Sequence, residues 1–275
     1  MENQPGGQHH DRPGNKYDQI PAHETAGIDQ QIRRREFISF SVFGLVAAAG
    51  ISAWEWLYHS PVEMKAITGK ARIPLRRALN RNELFFRKFF SSNHLVKTYP
   101  PSMAARDVRV NSLIGIDDDD FEPSAWKLFV NREKATALQI SMNEIRNLPK
   151  TEIVYSFKCV EGWDQIQHWA GVKFSDFISH YGLQDETRLQ YVGLKTPDAR
   201  YYVGIDMESA MHPQTILAYE MNGKPIEADH GAPLRLIIPV KYGIKNLKRI
   251  GTISFSNDRL PDYWAELGYD YYSGL

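Results

Sequence analysis

The chain has 275 residues, 43% apolar and 24% charged, an ordinary balance for one large core-forming domain with appendages. Lys+Arg and Asp+Glu number 33 each, so no excess of positive charge favours a polyanion, and nucleic acid is not an expected partner. A single cysteine excludes an internal disulfide framework and multi-cysteine zinc or iron–sulfur sites, and no internal repeat marks a solenoid or propeller.

Residues 1–32 are polar and broken by Pro5, Gly6, Gly7, Pro13 and Gly14. Such a segment buries too little apolar area to offset its ordering entropy, so a disordered tail is expected, with His9 and His10 solvated rather than metal-bound. Residues 33–58 change character: Arg33-Arg34-Arg35-Glu36-Phe37-Ile38 leads into a stretch that stays uncharged from Phe37 to Trp54. About 20 residues at a rise of 1.5 Å cross a bilayer core, and this stretch is long enough. Trp54, Trp56 and Tyr58 are residue types that favour the membrane–water interface, so residues 37–58 are expected to engage the membrane. A buried core helix fits poorly behind a polar tail and an arginine cluster. Arg34-Arg35-Glu36-Phe37-Ile38 resembles the twin-arginine export signal, with Arg33 where Ser or Thr is usual, Ile38 in place of Leu and Ser39 in place of a frequent Lys. The resemblance implies export of a folded, cofactor-loaded protein. Ala47-Ala48-Ala49 offers a small-residue cleavage site, while the apolar sequence beyond it suits an uncleaved anchor. Basic residues flank the stretch on both sides, so orientation rests on the export signal: the periplasmic side of a bacterial inner membrane.

Residues 59–105 form a basic connector in which Leu75, Leu79, Leu84, Phe85 and Phe89 recur at helical spacing, until Tyr99-Pro100-Pro101 breaks the pattern. Asp117–Asp120 is expected to be a solvated loop, because the alternating ligands, glycine and distal glutamate of a calcium loop are missing.

Residues 106–275 read as an α+β domain with mixed strands. Ile153–Val160 is β-branched and aromatic, a strand that ends at Glu161-Gly162-Trp163. Phe174, Phe177, Ile178 and Tyr181 then share one helical face, with Gly182 as the stop. Tyr191–Leu194 and Tyr201–Ile205 are short strands around Thr196-Pro197-Asp198. Leu217–Met221, Asn222-Gly223 and Lys224–Ile226 carry a hairpin signal. Leu234–Pro239 and Ile250–Phe255 complete the strand set.

The lone Cys159 falls where a strand becomes a loop, a position that often carries chemistry. A buried structural thiol, a nucleophile and a redox thiol are open to it, as is a ligand to a soft metal. No local signature joins it to His168, His180, His212 or His230, and no resolving cysteine exists. A single thiolate suffices for a metal only if the remaining sulfur ligands arrive with it, as molybdenum held by a pterin dithiolene allows.

The motif Lys158-Cys159-Val160-Glu161-Gly162-Trp163 resembles the molybdenum-ligand motif of the sulfite-oxidase family. Further pieces follow in that family's order: Gly204–Thr215, His230–Pro239 and Lys241–Lys248. The resemblance covers roughly residues 106–275. It implies a sulfite-oxidase-type molybdopterin-binding fold and a molybdenum–molybdopterin cofactor, with Cys159 as the protein thiolate. It also implies pterin contacts at Thr196, His230 and Arg235, a phosphate-side loop at Asn246, Leu247 and Lys248, and an Asn93-His94 pair like that of sulfite oxidases. His230 stands where a methionine-sulfoxide-reducing member of the family has asparagine. Positive charge after residue 234 suits a pterin phosphate, which arginine grips through paired hydrogen bonds, although the lysines equally suit a solvated face.

The residues after Lys248 are too few for the family's immunoglobulin-like domain, which is therefore not expected, and no haem-attachment Cys-x-x-Cys-His occurs in the sequence. The architecture is thus similar to the methionine-sulfoxide reductase branch. What that implies is a membrane-tethered oxidoreductase transferring an oxygen atom from a sulfoxide or related S- or N-oxide, with electrons from a separate membrane haem protein. A sulfite dehydrogenase feeding a cytochrome is the second reading. A non-catalytic binding or assembly protein that kept the fold is a third, against which the retained thiol argues.

Overall fold

The computed structural model describes residues 22–61, 72–117, 121–133 and 135–274, with side chains from Arg33 onward. His9, His10 and Asp118–Asp120 lie outside the described residues, as does most of the segment read as a disordered tail. The chain divides into two units, Met1–His59 and Ser60–Leu275.

The first unit is the helix α1, Ala22–His59. It starts inside the segment read as tail, because Ala, Glu, Gln and Arg are good helix formers and extend the apolar stretch backwards. Its Arg33–His59 part has the length and composition of a membrane span. Phe37, Phe40, Phe43, Leu45 and Trp54 are all exposed.

The second unit begins at Ser60. Helix α2, Ile73–Phe89, belongs to it, with Pro74 in its first turn where a missing N–H costs nothing. The buried residues of α2 are Arg76 and Glu83. Arg76 donates to the carbonyls of Ala265 and Tyr269, at 2.7 and 3.3 Å. Glu83 accepts from the Tyr191 hydroxyl at 2.8 Å and pairs with Arg87 and Arg259. Polar side chains thus join α2 to the domain, a bond type that apolar spacing in the sequence does not announce.

Among the described residues ten strands follow: β1 Leu128–Val130, β2 Leu138–Ile140, β3 Lys150–Lys158, β4 Asp164–Lys173, β5 Tyr191–Lys195, β6 Tyr202–Asp206, β7 Ile216–Met221, β8 Lys224–Pro225, β9 Arg235–Ile237 and β10 Thr252–Ser256. Short helices α3 Met142–Arg146, α4 Phe174–His180, α5 Met207–Ala210 and α6 Tyr263–Glu266 intervene. One sheet runs β2-β1-β10-β5-β6, with β1 and β10 parallel and its other pairs antiparallel. The other runs β3-β4-β7-β8 with β9 also on β7, all antiparallel. The expected α+β class with mixed strands is what the domain has.

The largest core cluster draws Leu128 and Val130, Val192 and Leu194 from one sheet, and Val172, Leu217 and Leu236 from the other. The second sheet's opposite face carries Ile153, Tyr155, Phe157, Trp169, Ile216 and Ile237. Within β3 this set alternates at a period of two, so Cys159 continues the line of Tyr155 and Phe157 beyond the strand end. Gly171 lies at the β4–β7 bulge, where a Cβ would fall 2.0 Å from the Leu217 carbonyl oxygen. The strands approach closely there because the residue is glycine.

Candidate active site

A cavity of about 280 Å³ opens over the β3 end, at the small end of the range for ligand pockets. Cys159, Asn111, Gln167, Trp169, Tyr201, His230, Arg235, Asn246 and Lys248 are among its lining residues. Cys159 is 3% exposed. Its loop is tight: the Cys159 N–H donates to the Trp163 carbonyl at 2.9 Å, and the Gly162 N–H donates to the Cys159 carbonyl at 3.1 Å. Gly162 supplies the positive φ of 88° that this turn requires. Burial, helped by the Glu161 charge, holds the free thiol pKa above its ordinary value, and donors from the Glu161 and Val160 backbone and from Asn111 Nδ2, at 3.5 Å, offset part of that rise. A sulfur ringed by N–H donors is suited to holding thiolate charge.

The lining is also cationic. Arg235, 4% exposed, stacks over Trp169 at 4.5 Å. It donates to the carbonyls of His230 at 2.9 Å and Asn246 at 3.2 Å, and its Nε has no partner among the described residues. Burial drives its pKa down to about 10. Lys248 donates to the carbonyls of Asn111, Ser112 and Asp229 at 2.5, 2.8 and 2.7 Å. Burial and Arg235 depress it to about 7, but three carbonyl acceptors match the three donors of the ammonium form. Burial, Arg235 and Lys248 push His230 down to about 4, so at neutral pH it is an uncharged hydrogen-bonding ring. On the same lining, Arg109 stacks over Trp163 at 4.7 Å, and the Glu161 carboxylate accepts from Trp163 Nε1 at 2.9 Å.

The wall is held together by close backbone approach. Gly231 has φ 96°, and a Cβ there would lie 2.6 Å from Lys248 Cβ. The loop after His230 and the loop carrying Lys248 therefore touch directly, and the Arg249 N–H donates to the Gly231 carbonyl at 3.1 Å.

The expected site residues divide. Cys159, His230, Arg235, Asn246 and Lys248 come to this cavity from separate stretches of chain. Asn246 also braces the wall: its Oδ1 accepts from the Ile238 N–H at 2.7 Å and its Nδ2 donates to the Tyr242 carbonyl at 3.1 Å. Leu247 is a fully buried core residue whose backbone carbonyl accepts from the Leu236 N–H. Thr196 does not line the cavity. It is 2% exposed, and its hydroxyl is engaged with Asp198 Oδ1 at 2.5 Å and the Tyr201 carbonyl at 3.1 Å, closing a turn. Asn93 and His94 do not line it either. The exposed Asn93 takes a local bond to Ser91, and His94 edges a different cavity, its carbonyl facing His212 Nε2 at 3.3 Å. Gln214 fixes that stretch in place by bonding both the N–H and the carbonyl of Val96.

Asn111 is the residue the sequence gives no sign of. It lies in an irregular segment and meets Cys159 across 48 positions of chain. Gln167 and Trp169 could have been found as alternate residues of β4 facing the same way as Cys159.

Among the described residues no group of three or more His, Cys, Asp or Glu could hold a metal ion by itself. A lone thiol beside buried cations, one with an unused donor, fits a metal that brings its own sulfur ligands on an anionic, phosphate-bearing carrier. Fold and cavity thus define a cofactor-binding redox domain. The description "oxidoreductase molybdopterin binding domain" matches residues 115–264, and the chain belongs to that family, the sulfite-oxidase family, as expected. It is a molybdopterin-dependent oxidoreductase.

Curated relatives agree. The protein-methionine-sulfoxide reductase subunit YedZ1 of Azospira oryzae is 34% identical over 67% of this chain and 70% of its own length. The protein-methionine-sulfoxide reductase catalytic subunit MsrP of Campylobacter jejuni is 31% identical over 57% of this chain and 58% of its own. MsrP of Xanthomonas campestris is 32% identical, and this chain spans only 49% of it. Among solved structures, the sulfane dehydrogenase SoxCD from Paracoccus pantotrophus aligns with a TM-score of 0.45 and 18% identity, over 62% of this chain and 46% of that one.

Proposed function

We propose that this chain is the catalytic component of an exported, membrane-tethered system that reduces a sulfoxide or related S- or N-oxide, with electrons from a membrane haem protein. The observation that carries the reading is the cavity that ends on the donor-ringed Cys159 sulfur and is walled by buried cations. Cys159 is the protein's ligand to the metal. Arg235, with its unused Nε–H, would donate to the phosphate, Lys248 would add its charge with its own donors held by three carbonyls, and neutral His230 would hydrogen-bond the pterin. Bound there, molybdenum–molybdopterin supplies two-electron chemistry coupled to transfer of an oxygen atom. The net reaction takes a sulfoxide, two electrons and two protons to a sulfide and water. Arg109, Trp163 and Tyr201 shape the space left for substrate, and burial keeps bulk water from the sulfur.

The names of the relatives support methionine sulfoxide as the substrate class, and the twin-arginine-like run at the head of α1 supports export. The test is dye-linked turnover by protein from a molybdate-supplied host. Reduced viologen should be oxidised on adding methionine sulfoxide with the native chain and not with Cys159→Ala. A native chain that leaves sulfoxides untouched but oxidises sulfite to sulfate, passing electrons to a cytochrome, would overturn the proposed direction.

A further inference from the structure

Helix α2 is amphipathic in the reverse sense for a helix on a globular domain. Such a helix ordinarily buries its apolar stripe and leaves its charges in water. In α2 the fully buried residues are two charged ones: Arg76 is 1% and Glu83 0% exposed, and both bond into the domain. The apolar residues face outward: Leu75 is 49%, Phe85 55%, Phe86 51% and Phe89 67% exposed. Phe86 stacks on Tyr272 at 6.3 Å, yet about half or more of each of these side chains stays open to solvent, and a contiguous apolar face of this kind marks an interaction surface.

Two features identify what covers it. The start of α2 is clipped to the residues that follow α1: Ile73 N–H donates to the Pro61 carbonyl at 3.0 Å, and Arg72 Nη1 donates to the Ser60 carbonyl at 2.7 Å. Chain connectivity therefore ties α2 to the end of a helix with the length and composition of a membrane span. The aromatic stripe is also flanked by the exposed cations Arg77, Arg81 and Lys88. Aromatic rings beside long basic side chains form the pattern of a helix lying in the interface plane, rings in the acyl boundary and cations at lipid phosphates. Leu95, 60% exposed, lines with Phe86 and Phe89 a neighbouring cavity of about 310 Å³, which extends the apolar face past the helix end.

We propose that the Leu75–Phe85–Phe86–Phe89 face of α2 docks on the surface of an anionic phospholipid bilayer. The proposal draws on the membrane reading of α1 and is independent of the substrate.

The test places a photocrosslinking benzophenone amino acid, singly, at Phe85, Phe89, Val42 of α1 and Lys224 of the β7–β8 hairpin. The full chain is then reconstituted in phosphatidylethanolamine–phosphatidylglycerol vesicles and irradiated. Expected are lipid adducts, seen as mass shifts, at Phe85, Phe89 and Val42, and none at Lys224. Lipid adducts at Val42 with none at Phe85 or Phe89 would overturn the docking face and leave the span intact. Adducts from Phe85 to a second copy of the chain instead of lipid would overturn it in favour of self-association. In native membranes, an adduct to another protein in place of lipid would overturn it in favour of a protein partner. Lipid at Phe85 and Phe89 without lipid at Val42 would uphold the face and sink the span.

Discussion

Arg235 and His230 show how much of the cavity is set by single side chains. Arg235 is buried with two carbonyls satisfied by its guanidinium. Lysine keeps the charge, but it cannot reproduce the planar fork or the stack on Trp169. Arg235→Lys should lower the stability of the cofactor-free chain by about 1–3 kcal/mol for each carbonyl left unpaired, read by urea unfolding. It should also lower molybdenum retention, whereas Lys224→Ala on the exposed hairpin should alter neither. For His230 the sign follows from its pKa, which burial and neighbouring cations bring from 6.5 to about 4. As pH falls the unfolded chain takes up this proton first. The stability tied to neutral His230 is therefore complete above about 6.5 and is lost as pH falls towards about 4. The melting temperature of the native chain should fall across that window, and His230→Asn should flatten the fall. An unchanged slope would mean that another group titrates there.

At the scale of elements, two contacts hold the site's supports. Glu83 ties α2 to Tyr191 and Arg259 from a fully buried position. Glu83→Ala removes the carboxylate shared by Arg87, Arg259 and the Tyr191 hydroxyl and should cost about 3–5 kcal/mol, seen as an earlier unfolding midpoint. Gly231→Ala must force a methyl against Lys248 at a positive φ, with about 1–3 kcal/mol of backbone strain. It should loosen the cationic wall and lower molybdenum content at unchanged Cys159. The strands around this wall were legible where one face is wet or a turn is marked. The Asn222-Gly223 hairpin was, since both residues adopt the positive φ that such a turn needs. Strand β4 was not: it lies between β3 and β7, and residues on both of its faces are buried, so its polarity does not alternate. Helix α2 was legible as a helix, but its orientation was not, because ion pairs rather than apolar contacts attach it.

At the scale of the molecule, the reading from sequence reached the family and the thiol, since strand-to-loop position and motif order are local properties. It reached Arg235 and Lys248 as positive charge, and the fold brings them into the cavity that Cys159 lines. Asn111 came only with the fold, because a donor from an irregular segment carries no periodicity. Thr196, Asn93 and His94 lie off this cavity: a turn holds the Thr196 hydroxyl, and Asn93 and His94 sit in the stretch beside the second cavity. Every role given to these side chains requires that the Cys159 cavity hold molybdenum–molybdopterin. Elemental mass spectrometry on the full chain from a molybdate-supplied host, with Cys159→Ala alongside, tests it most directly. The account predicts about one molybdenum per native chain, from the single thiol available as its protein ligand, and loss of that metal in a folded variant. A native chain that folds in a competent host without molybdenum, or a variant that retains it, would contradict the account.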